Sequence, residues 1–118
     1  MAKYEVEVER SLQEILSAIR REVSMGKSPA QLEESFSFER DGCSVSVQIY
    51  EKYYLRLNSN RALTLTLVST GENQTAVCAI VAGGQSGLMG FSMGTDNDLL
   101  DVVKRVCEPL RKVCPAKD

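Results

Sequence analysis

Cys43-Ser44-Val45-Ser46-Val47-Gln48-Ile49, Leu63-Thr64-Leu65-Thr66-Leu67 and Cys78-Ala79-Ile80-Val81-Ala82 are three short runs with turn residues on either side of each. Successive side chains of a strand leave opposite faces, so a period of two marks a half-buried strand and an unbroken apolar run marks one buried on both sides. In the first run the reading turns Cys43, Val45, Val47 and Ile49 inward and Ser44, Ser46, Gln48 and Tyr50 outward, with the strand continuing to about Leu55. In the second, Leu63, Leu65 and Leu67 face inward and Thr64 and Thr66 outward. The third extends from Thr75 to Ala82 and is apolar on both faces, which suits a central or doubly covered strand.

Asp41-Gly42, just before the first run, is a two-residue hairpin signal, because both central positions of a type I′ turn need positive φ. A strand from Gln31 to Arg40 therefore runs back beside the first run, with Leu32, Phe36 and Phe38 on one side and Glu33, Ser35, Ser37 and Glu39 on the other. Asn58-Ser59-Asn60 and Thr70-Gly71-Glu72-Asn73 supply the next two turns. Upstream, Tyr4, Val6 and Val8 alternate with Lys3, Glu5, Glu7 and Glu9 as an opening strand. Ser11-Leu12-Gln13-Glu14 has the form of a capping box, and Leu12, Ile15, Leu16, Ile19 and Val23 continue it as the apolar stripe of a helix that Gly26 and Pro29 end. Downstream, Gly83-Gly84 reads as a turn into a weak sixth strand through Gly87, Met89, Phe91 and Met93. Thr95 then caps a last helix with a stripe of Leu99, Val103, Val106, Leu110 and Val113, which Pro109 kinks or ends early. The fold class is α+β in one domain, residues 1 to 118: a two-layer structure in which an antiparallel sheet of five to six strands, in chain order β-α-β-β-β-β-β-α, carries two helices on one face.

The 118 residues suffice for one hydrophobic core, and apolar and charged fractions of 43% and 25% are those of an ordinary globular protein. Fourteen basic against sixteen acidic residues leave a formal charge of -2, which gives no global field for nucleic acid or an anionic bilayer. The first residues lack the order of a secretory signal and no apolar run reaches the roughly 18 residues of a membrane span, so the expected location is the cytoplasm and no membrane partner is expected. The four cysteines lack the spacing of a disulfide framework and are expected as reduced thiols, at least three of them small buried hydrophobes.

No histidine, metal-ligand spacing or nucleophile motif is present, so neither a metal nor a cofactor is expected. Gly83-Gly84-x-x-Gly87-x-x-Gly90 lacks the Gly-Lys-Ser/Thr of a phosphate loop and lies too far from the helix for a dinucleotide fingerprint. Leu88, Met89, Phe91 and Met93 form a polarizable apolar cluster that serves as core, as subunit interface or, with Val103 and Cys107 of the last helix, as the wall of an apolar cleft between sheet and helix. Tyr50, Tyr53 and Tyr54 interleaved with Lys52 and Arg56 have the composition of a stacking platform for single-stranded nucleic acid, against which Glu51 and the negative net charge weigh. A thiol-dependent enzyme is the third alternative, although Cys107 on the buried stripe lacks an electropositive setting.

Lys3-Tyr4-Glu5-Val6 at the start, Val45-x-Val47-x-x-Tyr50-Glu51-Lys52-Tyr53 in the meander and Ala79-Ile80 before Gly83-Gly84 resemble a family of short bacterial proteins catalogued as domain of unknown function 6054. The topology is also similar to helix-grip and TATA-binding-protein-like folds, which host lipid carriers, cyclases and nucleic-acid binders alike. The resemblance implies the two-layer architecture and carries no catalytic residue. The leading expectation is a non-enzymatic module, a homodimer, that takes a small apolar ligand or a protein partner through Leu88, Met89, Phe91, Met93, Val103 and Cys107. Nucleic-acid binding through Tyr50, Lys52, Tyr54 and Arg56 is the alternative.

Overall fold

The computed structural model describes residues 2–25, 30–54, 59–83 and 98–112. In chain order the elements are β1 (Ala2–Val8), α1 (Leu12–Met25), β2 (Gln31–Arg40), β3 (Cys43–Tyr54), β4 (Ser59–Gly71), β5 (Gln74–Gly83) and α2 (Asp98–Cys107), followed by a 3₁₀ turn, Glu108–Leu110. The strands form one antiparallel sheet in the order β1-β5-β4-β3-β2: a four-stranded meander with β1 docked on its last strand. β5 therefore has a neighbour on each side, as its apolar run requires. The sixth strand and the Thr95 cap lie outside the described residues.

Local chemistry places the ends of these elements. The Glu14 amide donates to Ser11 Oγ at 3.3 Å and the Ser11 amide to Glu14 Oε1 at 3.3 Å, completing the reciprocal cap of α1. Asp41 and Gly42 have φ of 50° and 79°, the left-handed pair that the tight β2–β3 hairpin needs. Pro109 has no amide to continue α2, and the α-helix gives way to the 3₁₀ turn at Glu108. Behind that turn the chain runs along the free edge of β1. Glu9 donates its amide to the Leu110 carbonyl at 3.0 Å and Lys112 donates to the Glu7 carbonyl at 2.8 Å, so this edge is partly closed.

Both helices cover the same face of the sheet. Leu12, Ile15, Leu16, Ile19 and Val23 of α1 and Leu99, Leu100, Val103 and Cys107 of α2 meet Leu63, Leu65 and Leu67 of β4 and Val77, Ala79 and Val81 of β5 in one core. The inward stripe of α2 turns through Leu100 and Cys107, leaving Val106 and Leu110 half-buried.

Two strands present the face opposite to that expected from their alternation. On β3 it is Ser46, Gln48, Tyr50 and Lys52 that are buried beneath the helices, while Val45, Val47 and Ile49 lie half-buried on the far side. The cause is register. Ser46 stands opposite Leu67, Gln48 opposite Leu65 and Tyr50 opposite Leu63, and residues opposite one another in an antiparallel pair share a face. The leucines of β4, buried under both helices, thereby carry the polar set of β3 inward. On β2 a bulge between Leu32 and Glu34 inserts Glu33. Leu32 keeps its place against the core while Phe36 and Phe38, opposite Val47 and Val45, turn outward. Among the described cysteines, Cys107 is buried, Cys78 half-buried and Cys43 exposed, so the expectation of at least three buried thiols does not hold for Cys43.

Candidate interaction surface

The polar residues that β3 turns inward satisfy one another. Gln48 Nε2 donates to Ser46 Oγ at 3.4 Å and the Tyr50 hydroxyl donates to Gln48 Oε1 at 3.3 Å, the pairing that buried polar groups require. Burial pushes the Tyr50 hydroxyl above its usual value, against the pull of the Arg20 guanidinium beside it. One row on, Lys52 stands opposite Arg61, whose Nη1 donates to the Gly83 carbonyl at 3.0 Å. Tyr50 is 0% exposed and Lys52 8%. Base stacking needs open ring faces, and the Tyr50 ring has none; Tyr53, half exposed, points to the other side of the sheet. The side chain of Tyr54, and Arg56 altogether, lie outside the described residues.

At the sheet–α2 contact, Val103 and Cys107 are wholly enclosed by core side chains. Desolvation, with the Glu108 carboxylate adding to it, pushes the Cys107 thiol up to about 12, away from the thiolate that nucleophilic chemistry uses. Leu88, Met89, Phe91 and Met93 lie outside the described residues. The Tyr4 hydroxyl donates to Glu108 Oε2 and, with Arg111 close by at 2.9 Å, holds that carboxyl below its ordinary value. This contact ties the end of α2 to β1. Among the described residues no group of three or more His, Cys, Asp or Glu side chains could hold a metal ion, and no helix is long and apolar enough to cross a membrane.

The far side of the sheet has a different character. Its side chains fall into three successive rows across all five strands: Lys3, Ile80, Thr64, Ile49 and Glu34; Glu5, Cys78, Thr66, Val47 and Phe36; Glu7, Ala76, Val68, Val45 and Phe38. The interior of each row is apolar or threonine, and the charges stand at the β1 edge and at Glu34. Phe36 and Phe38 are 59% and 47% exposed and stack on each other with ring centroids 6.5 Å apart. A shallow depression of about 410 Å³ lies over Thr66, Val68, Ala76 and Cys78, with Glu5 and Glu7 on its rim. The helix side offers a smaller groove of about 200 Å³ between α1 and the β2–β3 hairpin, lined by Leu12, Leu16, Ser37 and Ser46 among others.

At a strand spacing of about 4.8 Å and about 6.8 Å per two residues, the face over β2 to β5, with Glu34, Thr64 and Thr66 included, spans roughly 400 Å² in projection. That is the size of the largest apolar patch on an ordinary monomer, which often serves as a functional surface. Of these residues, alternation along the sequence turns Val45, Val47 and Ile49 inward and Thr64 and Thr66 outward. The signal that pointed here was β5, whose apolar character on both faces demands a second cover.

A family model matches residues 1–111, from the first strand to the bridge that Arg111 makes with Val8, and is described as a family of unknown function (DUF6054). The chain belongs to this family. Membership of DUF6054 spans all five strands and both helices, and an uncharacterised family assigns no activity to any of them. No curated protein and no solved structure matches the chain.

Proposed function

We propose that the protein is a non-enzymatic interaction module whose working surface is the open face of its sheet, docked on a protein surface. The observation that carries this reading is the three-row apolar patch with two stacked phenylalanines at its margin. β3 gives the patch its meaning. With Ser46 and Gln48 enclosed and Val45, Val47 and Ile49 outward, the chain by itself buries an amide and a hydroxyl while its β-branched residues are only half-buried. Apolar area gains about 25 cal/mol per Å² on leaving water, so a partner over this face recovers what the monomer forgoes. The cleft between sheet and α2 is less well suited to a ligand, since Val103 and Cys107 are already filled around by core side chains.

Two thiols on the open side of the sheet provide the test: Cys78 at the centre of the patch and Cys43, exposed, at the β2–β3 hairpin. Maleimide labelling resolved by peptide mass spectrometry is compared between intact cells and purified protein at nanomolar concentration. Docking predicts that Cys78, relative to Cys43, labels at least about tenfold more slowly in cells than in the dilute sample. Equal relative rates in the two samples would overturn the reading.

A further inference from the structure

We infer that two copies of this chain join through the free edge of β2, paired antiparallel about a two-fold axis that passes between their Ser37 residues, so that one sheet runs through both. This surface is the edge of the sheet and is independent of docking on its open face.

The two edges of the sheet differ. β1 is partly closed by Leu110 and Lys112, whereas among the described residues no backbone bond reaches the outer edge of β2, where Ser35, Ser37 and Glu39 are exposed. Arg40 and Cys43 flank the two-residue turn at Asp41-Gly42 and are therefore a hydrogen-bonded pair. Backbone amides and carbonyls alternate sides along a strand, so Arg40, Phe38 and Phe36 direct theirs to β3, and Glu39, Ser37 and Ser35 turn theirs to the open edge. Of the devices that blunt an exposed edge, proline, lysine and bulge are absent from Glu34 to Arg40, and one helix-side charge, Glu39, is present.

What selects a second copy is that Glu34-x-Phe36-x-Phe38-x-Arg40, laid antiparallel on itself, is its own complement. The open edge admits only registers that set odd positions on odd positions, because those carry the outward amides and carbonyls. With Ser37 on Ser37 of the second copy, Glu34 lies opposite Arg40 and Phe36 opposite Phe38, and each of these contacts occurs twice by symmetry. Even positions form the closer, non-hydrogen-bonded pairs, so the phenylalanines, 59% and 47% exposed in one chain, meet at the shorter spacing. On the helix side the Ser35 hydroxyl can donate to the Glu39 carboxylate opposite it. Beyond the ladder, Glu33 on the bulge comes level with Asp41 of the second copy, a like pair at the exposed end that opposes the other contacts. The neighbouring registers set Phe36 on Phe36 with Glu34 on Phe38, or Phe38 on Phe38 with Phe36 on Arg40, and neither makes an ion pair. Among the described residues Glu34 and Arg40 hold no ion pair within the chain, so both charges are available to the second copy.

An edge from Glu34 to Arg40 makes a small interface of the transient class, so sedimentation velocity from about 1 to 100 µM provides the test. The wild-type chain is expected to rise toward twice its 13.0 kDa mass over this range; a monomer throughout overturns self-pairing and leaves the edge to an extended segment of another protein. Ser37→Pro removes an amide that β3 does not use, so it is expected to keep the circular dichroism of the fold and lose the dimer. A dimer that survives this change with unchanged affinity overturns edge pairing. Glu34→Arg and Arg40→Glu, both at exposed positions, each set like charges at both ends of the ladder and are each expected to weaken pairing at least about tenfold. Mixed in equal amounts, the two variants again place opposite charges at both ends, and their pairing is expected within about threefold of wild type. Single variants that pair like the wild type, or a mixture no tighter than either variant alone, overturn the register proposed here. None of these changes lies beside Cys78 in the sheet, so the labelling test of the open face is decided separately.

Discussion

Leu65 shows what a single position contributes to this sheet. It is 0% exposed on the central strand, beneath both helices and beside Leu63 and Leu67. Leu65→Ala removes its packing and leaves a cavity in a core closed on the helix side, at an expected cost of about 2–5 kcal/mol by urea unfolding. Thr64 and Thr66, its neighbours on the opposite face, should tolerate alanine within about 1 kcal/mol in the dissociated chain. Cys107 makes a prediction in pH. Its folded thiol is pushed up to about 12 by burial, whereas an unfolded thiol titrates near about 8.5. The native state thus keeps its proton where the unfolded state has lost it. That contribution is intact below about pH 8.5 and is lost as pH rises toward 12, with a slope of at most about 1.4 kcal/mol per pH unit. Tyr4, Tyr50 and Cys78 are also raised and act in the same direction, so the cysteine's share is isolated by comparison. Stability of Cys107→Ala should decline less steeply than wild type between pH 8.5 and about 10.5; parallel declines would refute the assignment.

Among the elements, caps and turns were the most legible, because their chemistry is local. Ser11 and Glu14 form the capping box their spacing predicts, and Ser11→Ala should cost about 1 kcal/mol. Asp41-Gly42 makes the hairpin, and Pro109 ends α2. Gly83 is a harder constraint than Gly42. Both have positive φ, but a Cβ on Gly42 meets nothing, whereas one on Gly83 would lie 2.7 Å from the Asn60 carbonyl oxygen of β4. Gly42→Ala is therefore expected to cost about 1–2 kcal/mol from backbone strain alone, and Gly83→Ala clearly more, because the β4–β5 pairing must also shift at its end. Equal urea midpoints for the two variants would contradict this account. The bulge of β2 was not legible. Glu33 and Glu34 carry no turn signal, yet the extra residue reverses the face that Phe36 and Phe38 present.

At the scale of the whole molecule, both helices close one side of the sheet and none of the other described elements covers the opposite side, where association is proposed. A partner that closes it stabilises the folded chain by mass action. The ligand cleft expected between the sheet and α2 assumed an apolar inner face on β3 and an apolar strand through Met89 and Met93. The inner face of β3 is instead a chain of hydroxyls and amides, and Leu88 to Met93 lie outside the described residues.

Alternation, caps and turn residues determined by themselves that this chain makes a meander of strands with a helix before it and a helix after it, because those signals act between residues a few positions apart. They also separated the two faces of the strands that carry no bulge, since a period of two is a property of the backbone. Which face lies inside is a different matter, as Val45-x-Val47-x-Ile49 and Ser46-x-Gln48-x-Tyr50 are equally regular. Only the tertiary structure decided it, by setting β3 in register with the leucines of β4 that both helices bury, and by moving β2 one residue at Glu33. Cross-strand register links residues far apart in the chain, and a shift of one position exchanges core for surface along an entire strand.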